Sequence, residues 1–157
     1  MNRAYKRIIK FINKHHVLTL STHSDEGPWC CSCFYAYSDD ENCFFILSEK
    51  NTRHIQHITK NNRIAGTIAL ETKIIGKIRG IQFSGVINEL TDKEYKNAKK
   101  KYLKKFPYAF INKSPLWKIN IEYIKMTDNR LGFGKKIIWN CTDEPDHDKF
   151  DTHNDNY

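Results

Sequence analysis

The chain has 157 residues, 39% of them hydrophobic and 13% aromatic, which suits one domain with a real core. No apolar run nears the roughly 18 residues of a membrane-crossing helix, and five cysteines, four of them between Cys30 and Cys43, make no spaced disulfide framework. The net charge of +8 is uneven: from Thr142 onward Asp143, Glu144, Asp146, Asp148, Asp151 and Asp155 face one base, Lys149, a net −5 that leaves +13 on residues 1–141. The N-terminus lacks the apolar stretch and small-residue cleavage site of a secretory signal. The expectation is a reduced, cytoplasmic protein with no membrane span and a body that attracts anions of any kind, whether nucleic acid, acidic membranes or phosphorylated small molecules.

Tyr5, Ile8, Ile9 and Ile12 recur at helical spacing among lysines and arginines, and predict an amphipathic helix over residues 3–14. His16–Thr22 reads as a strand, and Ser24-Asp25-Glu26-Gly27 as a turn. Pro28 opens a second strand that runs to Tyr37. The polar cluster 38–42 is a hairpin loop, and Cys43–Ser48 a third, buried strand. Asn51 or Thr52 caps a helix running to about Lys60, with Ile55 and Ile58 on its core side. Arg63–Leu70 is a fourth strand. A long fifth strand spans about Gly76 to Leu90, with Gly80 and Gly85 marking bends or bulges. Thr91-Asp92-Lys93-Glu94 has the form of a capping box for a third helix, which Phe106-Pro107 ends. Leu116–Met126 alternates, with Trp117, Ile119, Ile121 and Tyr123 on one face, and Lys136–Trp139 is a last short strand. The tail from 142 to 157 is polar and acidic and reads as disordered. The pattern predicts a mainly β, α+β domain over residues 1–141: a six- to seven-stranded antiparallel barrel with about three flanking helices.

One stretch concentrates polar chemistry. After the apolar run Cys43–Leu47, the residues Ser48, Glu49, Lys50, Asn51, Thr52, Arg53 and His54 lead into a helix. Hydroxyls, two fixed cations and the free N–H groups of a helix start converge there, which suits an anion, and phosphate above all. The plain alternative is an ordinary strand-to-helix connection with solvated charges. Cys30 and Cys33 fall on opposite faces of a strand and cannot chelate one ion together, and no second cysteine pair at zinc spacing follows, so no metal site is assigned. His54 and His57 stand three apart on one helix but lack a third ligand. The lysines of the helix from Asp92 to Lys105 form a basic face, but no nucleic-acid motif accompanies them, so nucleic-acid binding is not the preferred reading.

The blocks Ile46-Leu47-Ser48-Glu49-Lys50-Asn51-Thr52-Arg53-His54, Ile78-Arg79-Gly80-Ile81-Gln82-Phe83-Ser84-Gly85, Phe106-Pro107, Leu116-Trp117 and Thr127 to Trp139 recur in order. Together they resemble the FMN-binding split barrel of the pyridoxamine-5′-phosphate oxidase superfamily, and within it the YhbP-like branch, over about residues 5–140. The resemblance implies a split β-barrel and a homodimer with two flavin sites at the subunit interface. It places the FMN phosphate on Thr52, Arg53 and His54 and the isoalloxazine ring against Cys31, Ser32, Leu47 and Ser48, with Gln82 reaching the ring's edge. The chain departs from the superfamily at His54, where a lysine is usual. A neutral imidazole holds phosphate less firmly than a fixed cation, so the departure bears on cofactor affinity rather than on fold: FMN is the expected cofactor, with a weakly bound or absent FMN left open and Lys50 as the compensating charge.

The implied function is a flavin-dependent oxidoreductase of unknown small-molecule substrate, with no catalytic residue assignable. The alternatives are a flavin- or haem-binding module without turnover, and a basic nucleic-acid-binding protein.

Overall fold

The computed structural model describes residues 3–142. Helix α1 (Arg3–Lys14) leads into β1 (Val17–Ser24), β2 (Gly27–Ser38) and β3 (Cys43–Leu47), an antiparallel meander. Helix α2 (Arg53–Lys60) precedes β4 (Arg63–Ala69) and β5 (Arg79–Glu89), and α3 (Asp92–Lys105) precedes β6 (Leu116–Asp128) and β7 (Lys136–Asn140). Short 3-10 turns occupy Ile75–Lys77, Pro107–Ile111 and Asn129–Leu131. The acidic tail from residue 143 on, with His147 and His153, lies outside the described residues. No helix among the described residues is long and apolar enough to cross a membrane.

The strands form one antiparallel sheet in the order β3-β2-β1-β4-β5-β6-β7, and β3 also pairs with β6 to close a barrel. Strand β6 makes this possible by dividing one of its edges. Leu116–Asn120 pairs with β3, whereas Tyr123–Thr127 pairs with β7. The barrel interior is filled from all sides by residues such as Leu18, Leu20, Tyr35, Phe44, Ile46, Ile81, Phe83 and Ile119, with Ile8, Phe11 and Ile12 of α1 packed against them. Phe11 rather than Ile9 completes the buried stripe of α1. A second core, of Ala36, Cys43, Phe45, Leu90, Leu116 and the α3 residues Ala98 and Tyr102, lies on the outer side of β2 and β3. The fold is thus the antiparallel split barrel with three helices that the sequence predicts.

Three local expectations change. The pairing of β5 with β6 slips between Ser84 and Gly85, where Ser84 faces Tyr123 and Gly85 faces Ile121. The extra residue, Glu122, reverses the alternation, so Trp117, Ile119 and Ile121 are buried upstream of it and Ile124 and Met126 downstream. Tyr123 therefore leaves the face assigned to it. Gly85 is required at the slip, because a Cβ there would run into the carbonyl of Asn120. Thr91 occupies the N-cap of α3 without a side-chain capping bond, so the predicted capping box does not close. The basic face of α3 is partly consumed inside the molecule: Lys101 Nζ stands 2.8 Å from both Asp40 and Glu41, Lys99 donates to the Asn112 carbonyl, and Lys105 donates to the His15 carbonyl and lies over the Tyr35 ring.

Candidate functional site

Strand β2 is twelve residues long and β3 only five, and the two pair only from Tyr35 to Ser38. Upstream of Tyr35 that edge of β2 has no strand beside it. The chain leaves β3 at Ser48 instead and turns into α2. Ser48 is fixed from two directions, since its N–H donates to the Pro115 carbonyl (3.2 Å) and its carbonyl accepts from the Trp117 indole N–H (3.0 Å). Ser114 donates to the Glu49 carboxylate at 2.6 Å and pins the next residue. A cavity of about 520 Å³ occupies this split. Ser32, Cys33 and Phe34 of β2 form one wall, Leu47, Ser48 and His54 the second, and Tyr102 of α3 with Tyr108, Ala109, Ile111 and Asn112 of the following turn the third.

The helix start beneath the cavity has an unusual economy. Thr52 sits at the N-cap of α2 with extended backbone but makes no side-chain capping bond. Its hydroxyl donates to the Glu49 carbonyl at 2.8 Å and lies 3.2 Å from both Ser48 Oγ and His54 Nε2. His54 Nε2 is 2.6 Å from Ser48 Oγ, so Ser48, Thr52 and His54 form one polar trio. The N–H groups of the first turn of α2 are left without the hydroxyl that usually satisfies one of them.

Among the predicted site residues, Ser32, Leu47, Ser48 and His54 line the cavity together. Thr52 joins them through the trio, and Cys31 through its contact with Cys33. Arg53 lies beside the group with its guanidinium 4.4 Å from the centre of the Trp29 ring, and it makes no salt bridge among the described residues. Two residues stand apart. Lys50 does not line the cavity and is paired with Glu89 at 2.8 Å on the surface. Gln82 is exposed on β5, in register with Thr67 of β4, Thr19 of β1 and Ser32 of β2. Three strand spacings of about 4.8 Å separate it from Ser32, too far to reach this chain's own cavity.

His57 does not share a site with His54. It is buried, its Nδ1 lies 3.3 Å from Thr22 Oγ1, and its Nε2 has no hydrogen-bond partner among the described residues. The cysteines are arranged differently from the pair weighed in the sequence. Cys31 and Cys33, two apart, share the face of β2 that pairs with Leu20 and Leu18, and their sulfurs are 3.7 Å apart. His54 approaches the same point, bringing one ligand atom from each of the three residues within 4.8 Å of the others. The hydrogen bond shared with Cys33 pulls the Cys31 thiol down to about 5, opposed by burial and assisted by His54, while the same bond and burial push Cys33 up.

No protein-family model matches the chain. A protein of the UPF0306 family from Photorhabdus laumondii is 42% identical over 135 residues, 86% of this chain and 94% of that protein. The chain belongs to the UPF0306 family. Among solved structures, the fold of this UPF0306 chain is similar to a heme binding protein from Mycobacterium smegmatis, with TM-score 0.75 and 16% identity over 89% of this chain and 59% of that one. It is also similar to a FAD-binding protein from Mesorhizobium loti, with TM-score 0.64 and 19% identity over 78% of this chain and 90% of that one. At such identities the likeness is one of fold.

The UPF0306 cavity also uses residues that sequence reasoning missed. Tyr108, Ala109, Ile111 and Asn112 form a wall of it, although the stretch after Phe106-Pro107 was read only as the end of a helix. The signal was there: Tyr108, Phe110 and Ile111 are large apolar residues crowded into a short turn, where a connection between elements is normally polar.

Proposed function

We propose that this UPF0306 chain binds a flavin, FMN, in the cavity of the split, with the phosphate at the start of α2 and the ring between β2 and the Tyr108–Asn112 turn. The observation that carries the reading is the uncapped helix start. Thr52 turns its hydroxyl into the trio with Ser48 and His54 and leaves first-turn N–H donors for an anion, beside the Arg53 guanidinium, which makes no salt bridge among the described residues. The cavity volume falls within the range of small-ligand sites, and its walls combine aromatic and aliphatic side chains with a few polar groups, as a flat ring with a charged tail requires. A bound flavin supplies the redox chemistry, and the protein's share is to hold it and shield it from water.

The same reading pairs two chains through the exposed outer face of β2, β1, β4 and β5. Ser32, Thr19, Thr67 and Gln82 there form a row of small and polar side chains. Such pairing gives Gln82 a role at the cavity of a second copy, which its position within one chain does not offer. Titration of the purified protein with FMN, followed by fluorescence quenching, is expected to saturate in the micromolar range. Arg53→Ala should weaken binding about tenfold or more, the worth of a charged hydrogen bond, whereas Lys100→Ala, on the exposed face of α3, should not. Equal losses, or no quenching up to high micromolar FMN, overturn the reading. A monomer by light scattering would remove the role given to Gln82.

Haem is the second reading. What favours it is His54, an imidazole on the cavity wall, since histidine is a common haem ligand. Hemin titration discriminates the two: a shifted Soret band lost in His54→Ala, together with no FMN quenching, favours haem.

A further inference from the structure

We propose that Cys31, Cys33 and His54 form a binding site for a single thiophilic metal ion, zinc in the first instance, at the junction of β2 and α2. Two sulfurs, each about 2.3 Å from a tetrahedral ion, must stand about 3.8 Å apart. The Cys31 and Cys33 sulfurs are already 3.7 Å apart. The third donor is a nitrogen of His54, within 4.8 Å of both sulfurs. Closing the triad onto an ion asks only for side-chain adjustment, because all three residues are on regular elements fixed by other contacts.

The position follows from the local architecture. Residues two apart on a strand share a face, so the Cys-x-Cys spacing aims both thiols the same way. The part of β2 that carries them runs past the end of β3, so this edge is open. Helix α2 begins directly across the gap and presents His54 in its first turn. Two thiolates and an imidazole suit zinc or copper(I) better than magnesium or calcium, which take oxygen donors. The hydroxyls of Ser48 and Thr52 both contact His54 Nε2, at 2.6 and 3.2 Å, so they act as outer partners when Nδ1 takes the ion and give way to it when Nε2 does. Three protein ligands leave the fourth position of a tetrahedral ion open. Cys33 and His54 both line the cavity, so that position faces the space where a small molecule would sit. Binding displaces the thiol protons to solvent and changes no oxidation state.

The metal site shares His54 and the cavity wall with the proposed FMN site, so it is tested in protein free of flavin, where its outcome does not depend on FMN binding. Tag-free protein, reduced and stripped of metal, is titrated with cobalt(II) as the spectroscopic stand-in for zinc, and then with zinc against a chromophoric chelator. The expected result is one ion per chain, with a thiolate-to-cobalt charge-transfer band that zinc abolishes. Cys31→Ser and Cys33→Ser should each remove that band, and His54→Ala should weaken binding by more than about tenfold. Cys30→Ser, which alters the exposed neighbour on the other face of β2, should leave it intact. If Cys33→Ser does not fold, judged by thermal unfolding, the less buried Cys31 still decides the matter. No thiolate band, or a band that survives Cys31→Ser, overturns the assignment. So does a Cys31–Cys33 disulfide that persists under the reducing conditions of the titration.

Discussion

Two thiols in hydrogen-bond contact cannot both stay ordinary, and on β2 the difference is directed. The two sulfurs share a hydrogen bond, and Cys31 is the one whose pKa is drawn down, to about 5, while Cys33 is pushed up. Because the thiolate is the reacting form, alkylation of Cys31 in the metal-free protein is expected to stay nearly level from neutral pH downward and to fall only as the pH approaches that value. Peptide mass spectrometry of the alkylated protein checks this. A rate already dropping tenfold per pH unit near neutrality would be inconsistent with the arrangement. Asp128 is the other residue whose charge the fold depends on. It is fully buried, takes two bonds from the Arg130 guanidinium (2.6 and 2.8 Å), and accepts the Arg130 backbone N–H. Arg130 beside it lowers its pKa, so its stabilising contribution is complete above the ordinary carboxylate range and is lost as pH falls through the lowered value. Asp128→Ala should cost about 2 kcal/mol at neutral pH and should flatten the acid limb of the Tm profile. A variant that retains the full acid dependence would shift the effect to another carboxylate.

Among the elements, the β5–β6 pair carries the most constraint, because one slip sets the face of every residue after it. Gly85→Val should cost about 3 kcal/mol by overpacking the strand against Asn120. Gly76→Ala, where nothing stands within 4 Å, should stay within about 0.5 kcal/mol of the parent; urea unfolding of the two variants compares them. The strands themselves were legible because alternation and turn residues are local signals. The bulge was visible only as a glycine, since whether Tyr123 faces in or out depends on which residue of β6 meets Gly85. At the site, Ser48, Thr52 and His54 could be read from the strand-to-helix spacing, and they do converge. The Cys31–Cys33–His54 cluster could not, because it depends on β2 outrunning β3 and on α2 lying across the gap. Lys50 looked like a free cation because Glu89, distant in sequence, was invisible as its partner.

At the scale of the whole molecule, composition already implied one compact body. The resemblance added the barrel's split, which alternation could not supply. The split exists because β3 is short, and the barrel is nevertheless closed because β6 serves β3 with its first half. The pairing of Cys43–Leu47 with Leu116–Asn120 joins segments that lie on opposite sides of α2, β4, β5 and α3. This has a consequence for the order of events on the ribosome. The nascent chain can make hairpins early, but it cannot shut the barrel until Leu116–Asn120 has emerged. Distant pairings of this kind delay folding and leave sheet edges open to other chains in the meantime. A fragment of residues 1–114 is accordingly expected to show no cooperative unfolding transition, and its amides in β3 should exchange freely with solvent. Ser48 is also held by Pro115 and Trp117. The cavity of the split is therefore completed last, and a truncated chain would lose it together with the fold.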